Sequence, residues 1–120
     1  MKDFYGGRDM KFSMFLLVIL TIAGCTSLGD ARKAGVHSTL ESSKSVDDVS
    51  QCILIKWQNE KDIFGSVYGA FIQPLPNGKT VYVDGNYFIA DVTKHNDKTY
   101  VDLYLLKSPT DWAGIAKSCL

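Results

Sequence analysis

From residue 45 onward the bulky apolar positions recur with two different periods. Val46, Val49, Ile53 and Trp57 fall three or four residues apart, the spacing of one helical stripe. Ser45 precedes them and Asp48 stands three residues after it, a pattern that caps a helix N-terminus. This helix is expected to end around Glu60 to Asp62, with Gly65 as a breaker. Beyond it the period shortens. Four runs read as strands: residues 66–74, 79–83, 87–93 and 99–107. They are separated by "LPNG", "DGN" and "KHNDK", short turn-forming segments that predict an antiparallel meander. A last helical stripe follows, with Trp112, Ile115, Ala116 and Cys119 on one face. Ser108 reads as its cap and Pro109 as its first residue.

Alternation along the strands divides their residues between two faces. Val67, Phe71, Val81, Val83, Phe88, Ala90, Val92, Val101, Leu103 and Leu105 form a wholly apolar set, which predicts a buried face. The opposite set is Tyr68, Ile72, Tyr82, Tyr87, Ile89, Asp91, Tyr100, Asp102, Tyr104 and Leu106. The fold expected is α+β: a two-layer sandwich, helix–four strands–helix, with both helices on the apolar face of the sheet. Residues 26–44 are polar and rich in Ser, Thr, Gly and Ala, and read as a flexible tether in which "LGDARKAG" can form a short helical turn.

The N-terminal third has another character. Lys11 precedes an uncharged, largely apolar stretch from Phe12 to Cys25. A spanning helix needs roughly 20 apolar residues, and this stretch is shorter, ending in small residues. It reads as a signal peptide. Its last four residues, Ile22-Ala23-Gly24-Cys25, resemble the lipobox of bacterial lipoproteins. The resemblance implies cleavage before Cys25 and a diacylglyceryl group on its thiol. Residues 1–24 are then the leader. Phe4, Tyr5, Asp3 and Asp9 are unusual in such a leader, so the expected start is Met10, from which a compact leader begins. Two or three acyl chains, at about 0.8 kcal/mol per buried CH2, hold a protein firmly on a membrane. Thr26 follows Cys25; in that family an Asp there commonly marks inner-membrane retention, so the resemblance favours the outer membrane, facing the periplasm.

Cys52 and Cys119 remain, an even pair in an oxidising compartment. A structural disulfide between the two helices is the preferred reading, with two buried free thiols as the alternative. The chain holds 13 basic and 13 acidic residues. Such a balance provides no field for nucleic acid. No metal cluster, nucleophile motif or phosphate-binding loop is legible, and no cofactor is expected. His37 lies in the tether and His95 in a turn, where solvated side chains are expected.

The candidate site is the tyrosine-rich sheet face: Tyr68, Tyr82, Tyr87, Asp91, Tyr100, Asp102 and Tyr104. Tyrosine offers large contact area and a polar tip at little entropic cost, which suits an interface. A cross-strand ladder that only stabilises the sheet is the competing reading. Asp91 and Asp102 are the one pair that acid–base chemistry could use. "SVDDVSQCILIKW" and "DWAGIAKSCL" around a short sheet resemble small uncharacterised lipoproteins of Gram-negative bacteria and prophages. The expected function is non-enzymatic: a membrane-anchored lipoprotein of the envelope that binds a protein or envelope component, as an immunity, inhibitor or phage-exclusion protein. The alternative is a structural accessory in an envelope or secretion assembly.

Overall fold

A computed structural model of the chain describes residues 28–85 and 87–120. The leader, Met10 and Cys25 lie outside the described residues. The elements in chain order are α1 (Leu28–Arg32), β1 (Ser38–Ser42), α2 (Val46–Gln58), β2 (Ala70–Leu75), β3 (Gly78–Val83), β4 (Phe88–His95), β5 (Lys98–Leu105) and α3 (Trp112–Lys117). The class is α+β. The strands form one antiparallel sheet in the order β1-β5-β4-β3-β2. The meander of four is present, and β1 adds a fifth strand at its β5 edge.

That fifth strand corrects the expectation for residues 26–44. Ser38–Ser42 pairs with five residues of β5, from Ser38 opposite Leu103 to Ser42 opposite Thr99. Its polarity hid it. Ser42 and Thr99 are buried polar residues, and the Thr99 hydroxyl donates to the Lys44 carbonyl at 2.6 Å. A half-buried edge strand needs few apolar side chains when hydroxyls satisfy its ends.

α2 forms as its stripe predicts. Ser45 Oγ accepts the Asp48 N–H at 3.1 Å, and Val49, Ile53 and Trp57 are fully buried. α3 starts later than expected. Its cap is Asp111, which accepts the Gly114 N–H at 3.0 Å. Ser108 Oγ instead accepts from the Thr110 N–H and from the Trp112 indole, at 3.2 and 3.3 Å.

Trp112 is the hub of the core. Its ring meets Phe88 at 4.7 Å, Tyr68 at 5.1 Å and Trp57 at 5.4 Å between centroids. Around it lie Val49, Ile53, Val81, Val83, Ala90, Val92, Val101, Leu103, Ala116 and Cys119. These come from α2, α3 and one face of the sheet. The Trp57 indole N–H is buried without a hydrogen-bond partner among the described residues, a cost of about 1–3 kcal/mol. Cys52 and Cys119 are disulfide-bonded with their Cα atoms 5.7 Å apart, joining α2 to the end of α3. The helices do not all share one side, because α1 reaches the other face of the sheet through Arg32.

The sorting of the sheet faces holds for β3, β4 and β5 and inverts in β2. Phe71 pairs with Tyr82 and stacks on it at 5.5 Å, while Ala70 and Ile72 pair with the core-side Val83 and Val81. The alternation runs unbroken through Gly69, and the whole run takes the opposite sense, set by the pairing of Ala70 with Val83 and of Phe71 with Tyr82. Tyr68 is thereby turned toward Trp112, and Val67 is exposed rather than buried. Gly78 is required where β3 meets β4, since a Cβ there would overlap the Val92 carbonyl oxygen.

The disulfide spans 67 residues of sequence. In the chain-entropy account a closure of that length stabilises the fold by about 4 kcal/mol. Reduction, or the C52S/C119S pair, is expected to lower unfolding free energy by that order. Urea unfolding with and without reductant measures it, and coincident midpoints would contradict it.

Candidate functional site

On the face opposite the core, strand register brings Asp91 and Asp102 directly opposite each other, flanked by the pairs Ile89–Tyr104 and Thr93–Tyr100. β3 adds Thr80 opposite Asp91 and Tyr82 opposite Ile89; β1 adds Thr39 opposite Asp102. Two like charges facing across a ladder are destabilising unless each finds a partner. Both do. The Arg32 guanidinium forks onto Asp91, with Nε to Oδ2 and Nη2 to Oδ1 both at 2.8 Å, and Nη2 also donates to Thr80 Oγ1 at 3.2 Å. Thr39 Oγ1 donates to Asp102 Oδ1 at 2.8 Å. Such a bidentate, charge-assisted pair is among the stronger polar contacts in proteins. The carboxylates thus serve as anchor points for α1 and β1, not as a free acid–base couple.

Arg32 and Tyr104 both respond to this arrangement. The hydrogen bonds to Asp91 raise the Arg32 pKa further, against partial burial. The Tyr104 phenol is pushed above its ordinary value, first by burial and then by the charges of Asp91 and Asp102, with Arg32 opposing.

The clamp holds α1 beside a cleft of about 490 Å³. One wall is Asp30, Ala31 and Ala34 with the Gly35–His37 connection; the other is Gly85, Tyr87 and Tyr104–Leu106. The Leu103 carbonyl accepts the His37 N–H at 2.7 Å, which fixes the first wall to β5. Volume and mostly apolar lining fit a small-ligand site or an anchor pocket for a partner side chain.

The seven residues singled out from the sequence therefore separate. Asp91, Asp102 and Tyr104 meet at the clamp, and Tyr104 and Tyr87 both line the cleft. Tyr82 lies on the same face with Phe71, and its hydroxyl accepts from Gln73 at 3.0 Å. Tyr100 lies toward the other end, its ring 6.1 Å from His95. Tyr68 leaves the site for the core. Arg32, Thr39 and Thr80 were not singled out. Arg32 stood in "LGDARKAG", where only the helical turn was legible.

Among the described residues no three His, Cys, Asp or Glu side chains converge in a way that could hold a metal ion. No described helix is long and apolar enough to cross a membrane. No known protein family model matches the chain, and neither a curated protein nor a solved structure matches it.

Tyr104 reports on the clamp. Between the ordinary tyrosine range and its raised value, the unfolded chain releases a proton that the folded chain keeps. Stability therefore falls as pH rises through that window. Arg32→Gln is expected to raise the Tyr104 titration further, and Asp102→Asn to lower it. Tyrosinate absorbance against pH, with Tyr104→Phe to assign the signal, checks both directions. Shifts of the same sign in the two variants would contradict the charge arrangement.

Proposed function

We propose that the protein is a lipid-anchored envelope lipoprotein, non-enzymatic, that binds a protein or envelope component through the Tyr82–Asp91–Tyr104 face of its sheet. The observation that carries the reading is the contrast between the two sides of the sheet. One side is occupied by α2, α3 and the Trp112 cluster. The other presents Phe71, Tyr82, Tyr100 and Tyr104 around the Arg32–Asp91 clamp, with a cleft at one end. Aromatic area around a fixed polar group suits recognition: ring faces supply contact energy and polar tips supply register. The disulfide supports an oxidising compartment, as a periplasm-facing location requires. With α2 and α3 on the core side, the part of the Tyr-rich side that α1 does not cover is left for a partner, as an immunity or inhibitor protein needs.

Two measurements test it. Mass spectrometry of the chain from the envelope fraction is expected to find Cys25 at the N-terminus carrying a diacylglyceryl group; an intact leader would refute the anchor. A photo-crosslinking residue at Tyr82 or Tyr104 is expected to give a discrete adduct in cells, and one at Ile55, exposed on α2, is not. Equal labelling from all three positions would refute the face.

A further inference from the structure

The exposed apolar side chains are distributed unevenly along the sheet. Of the nine large ones exposed among the described residues, six stand at one end: Val36, Ile63, Phe64, Val67, Tyr87 and Leu106. Topology places them there. Val36 precedes β1, residues 63–67 precede β2, Tyr87 precedes β4 and Leu106 follows β5. In this antiparallel sheet those four positions share one end. The opposite end carries Lys44, His95, Asn96, Asp97 and Lys98, all exposed.

Ile63 and Phe64 are 84% and 86% exposed, yet the segment bearing them is ordered. Lys61 and Val67 bridge as antiparallel partners, the Asp62 N–H donates to the Ser66 carbonyl at 2.8 Å, and Gly65 turns at φ +81°. Asp62 turns its carboxylate onto its own loop, Oδ1 accepting the Phe64 and Ser66 N–H groups at 2.8 and 3.0 Å. The loop is therefore built before anything covers it, and it holds two bulky apolar groups outward. Its base is tied to the sheet end, where the Gly69 carbonyl accepts the Asp84 N–H at 3.0 Å.

We propose that this end of the sheet docks on a lipid bilayer, with Ile63 and Phe64 inserted among the acyl chains and Tyr87 and Leu106 at the headgroup level. The proposal deepens the anchored reading given above and rests on it for orientation. Cys25 is three residues from Leu28, a span of at most about 11 Å. Asp30 and Ala31 stand with Gly85, Tyr87 and Leu106 around the cleft, so an anchor at Cys25 holds this same end toward the membrane. The apolar groups sit on separate loops across the end, with exposed Lys61, Asp84 and Lys107 among them. Aromatic and aliphatic side chains interleaved with lysines, whose stems lie along apolar surface while their ammonium groups reach water, suit a bilayer interface. The opposite, charged end then faces the aqueous side.

The test uses the full chain on phosphatidylethanolamine/phosphatidylglycerol vesicles, with Phe64→Trp as reporter and the parent chain as background for the buried Trp57 and Trp112. The inserted tip is expected to shift the reporter's emission to the blue and to lose most of it to brominated acyl chains. Emission at the solvent position, or a blue shift without bromine quenching as in a protein groove, would overturn the proposal. In the Cys25→Ser chain without its leader, residues 1–24, I63S/F64S is expected to weaken vesicle partitioning by about tenfold or more for each side chain lost. Unchanged partitioning would also overturn it. Failure of Cys25 acylation is read separately by mass, so it is distinguishable from a tip that stays in water.

Discussion

A helix of six residues does not persist alone in water, where about 12–15 residues are needed even for favourable sequences. α3 is that short, and the packing of the core depends on it. It is held at both ends. Trp112 enters a cage of Phe88, Tyr68 and Trp57, one ring each from β4, the loop before β2, and α2. Cys119, just past the last turn, is bonded to Cys52 on α2. The chain end is thus fastened both by aromatic packing and by a covalent link. The small sheet gains the second layer without which its apolar face would be wet. Loss of the aromatic fastening reaches α2, β4 and the loop before β2 at once, because Trp112 touches all three.

On the other face the organising problem is electrostatic. Register forces Asp91 and Asp102 opposite each other. Both compensating donors, Arg32 and Thr39, come from the short polar stretch before α2. That stretch is consequently part of the fold. It completes the sheet with β1, gives each of the facing carboxylates a hydrogen-bond donor and sets one wall of the cleft. Asp91 and Tyr104 belong to both halves of this arrangement, since the group that holds α1 also sets the environment of a phenol lining the cleft.

How much of this was legible depended on how far each signal reached along the chain. α2 and the turns of the meander rest on local periodicity, and α2 stands in the structure with its end at Gln58, short of Glu60; the cysteine pair rests on an even count in an oxidising compartment, and it is bonded. Tyr68 and Phe71 take the faces opposite to those expected because the alternation of this run is legible but its sense is not: Val67 and Phe71 are bulkier than Ala70, and only the cross-strand pairing of Phe71 with Tyr82 decides which side they take. β1 was missed because Ser38–Ser42 has hydroxyls where a strand detector needs aliphatics. Its stabilisation comes from β5, 55 residues away in the case of the Thr99 hydroxyl and the Lys44 carbonyl; no local pattern records that. The same holds for Arg32, whose partner Asp91 lies 59 residues away. A charged residue in a polar stretch carries no mark of the carboxylate it will meet.

The two faces and the two ends divide the molecule's chemistry along perpendicular directions. Burial of α2 and α3 uses one face, and the fixed polar groups lie on the opposite one. The ends are distinguished by their exposed apolar groups: the β4–β5 turn carries charged and amide residues, whereas the loops before β2 and β4 and after β5 set Ile63, Phe64, Tyr87 and Leu106 among charged Lys61, Asp84 and Lys107. Exposed Ile63 and Phe64 contribute nothing to the core, and a solvent-facing Phe at a rigid turn has a solubility cost with no folding return. Asp62 spends its carboxylate on ordering that turn. A loop held in shape to keep apolar groups outward has its energetic rationale in a nonaqueous contact, and under the anchoring proposed at Cys25 a bilayer lies on that side.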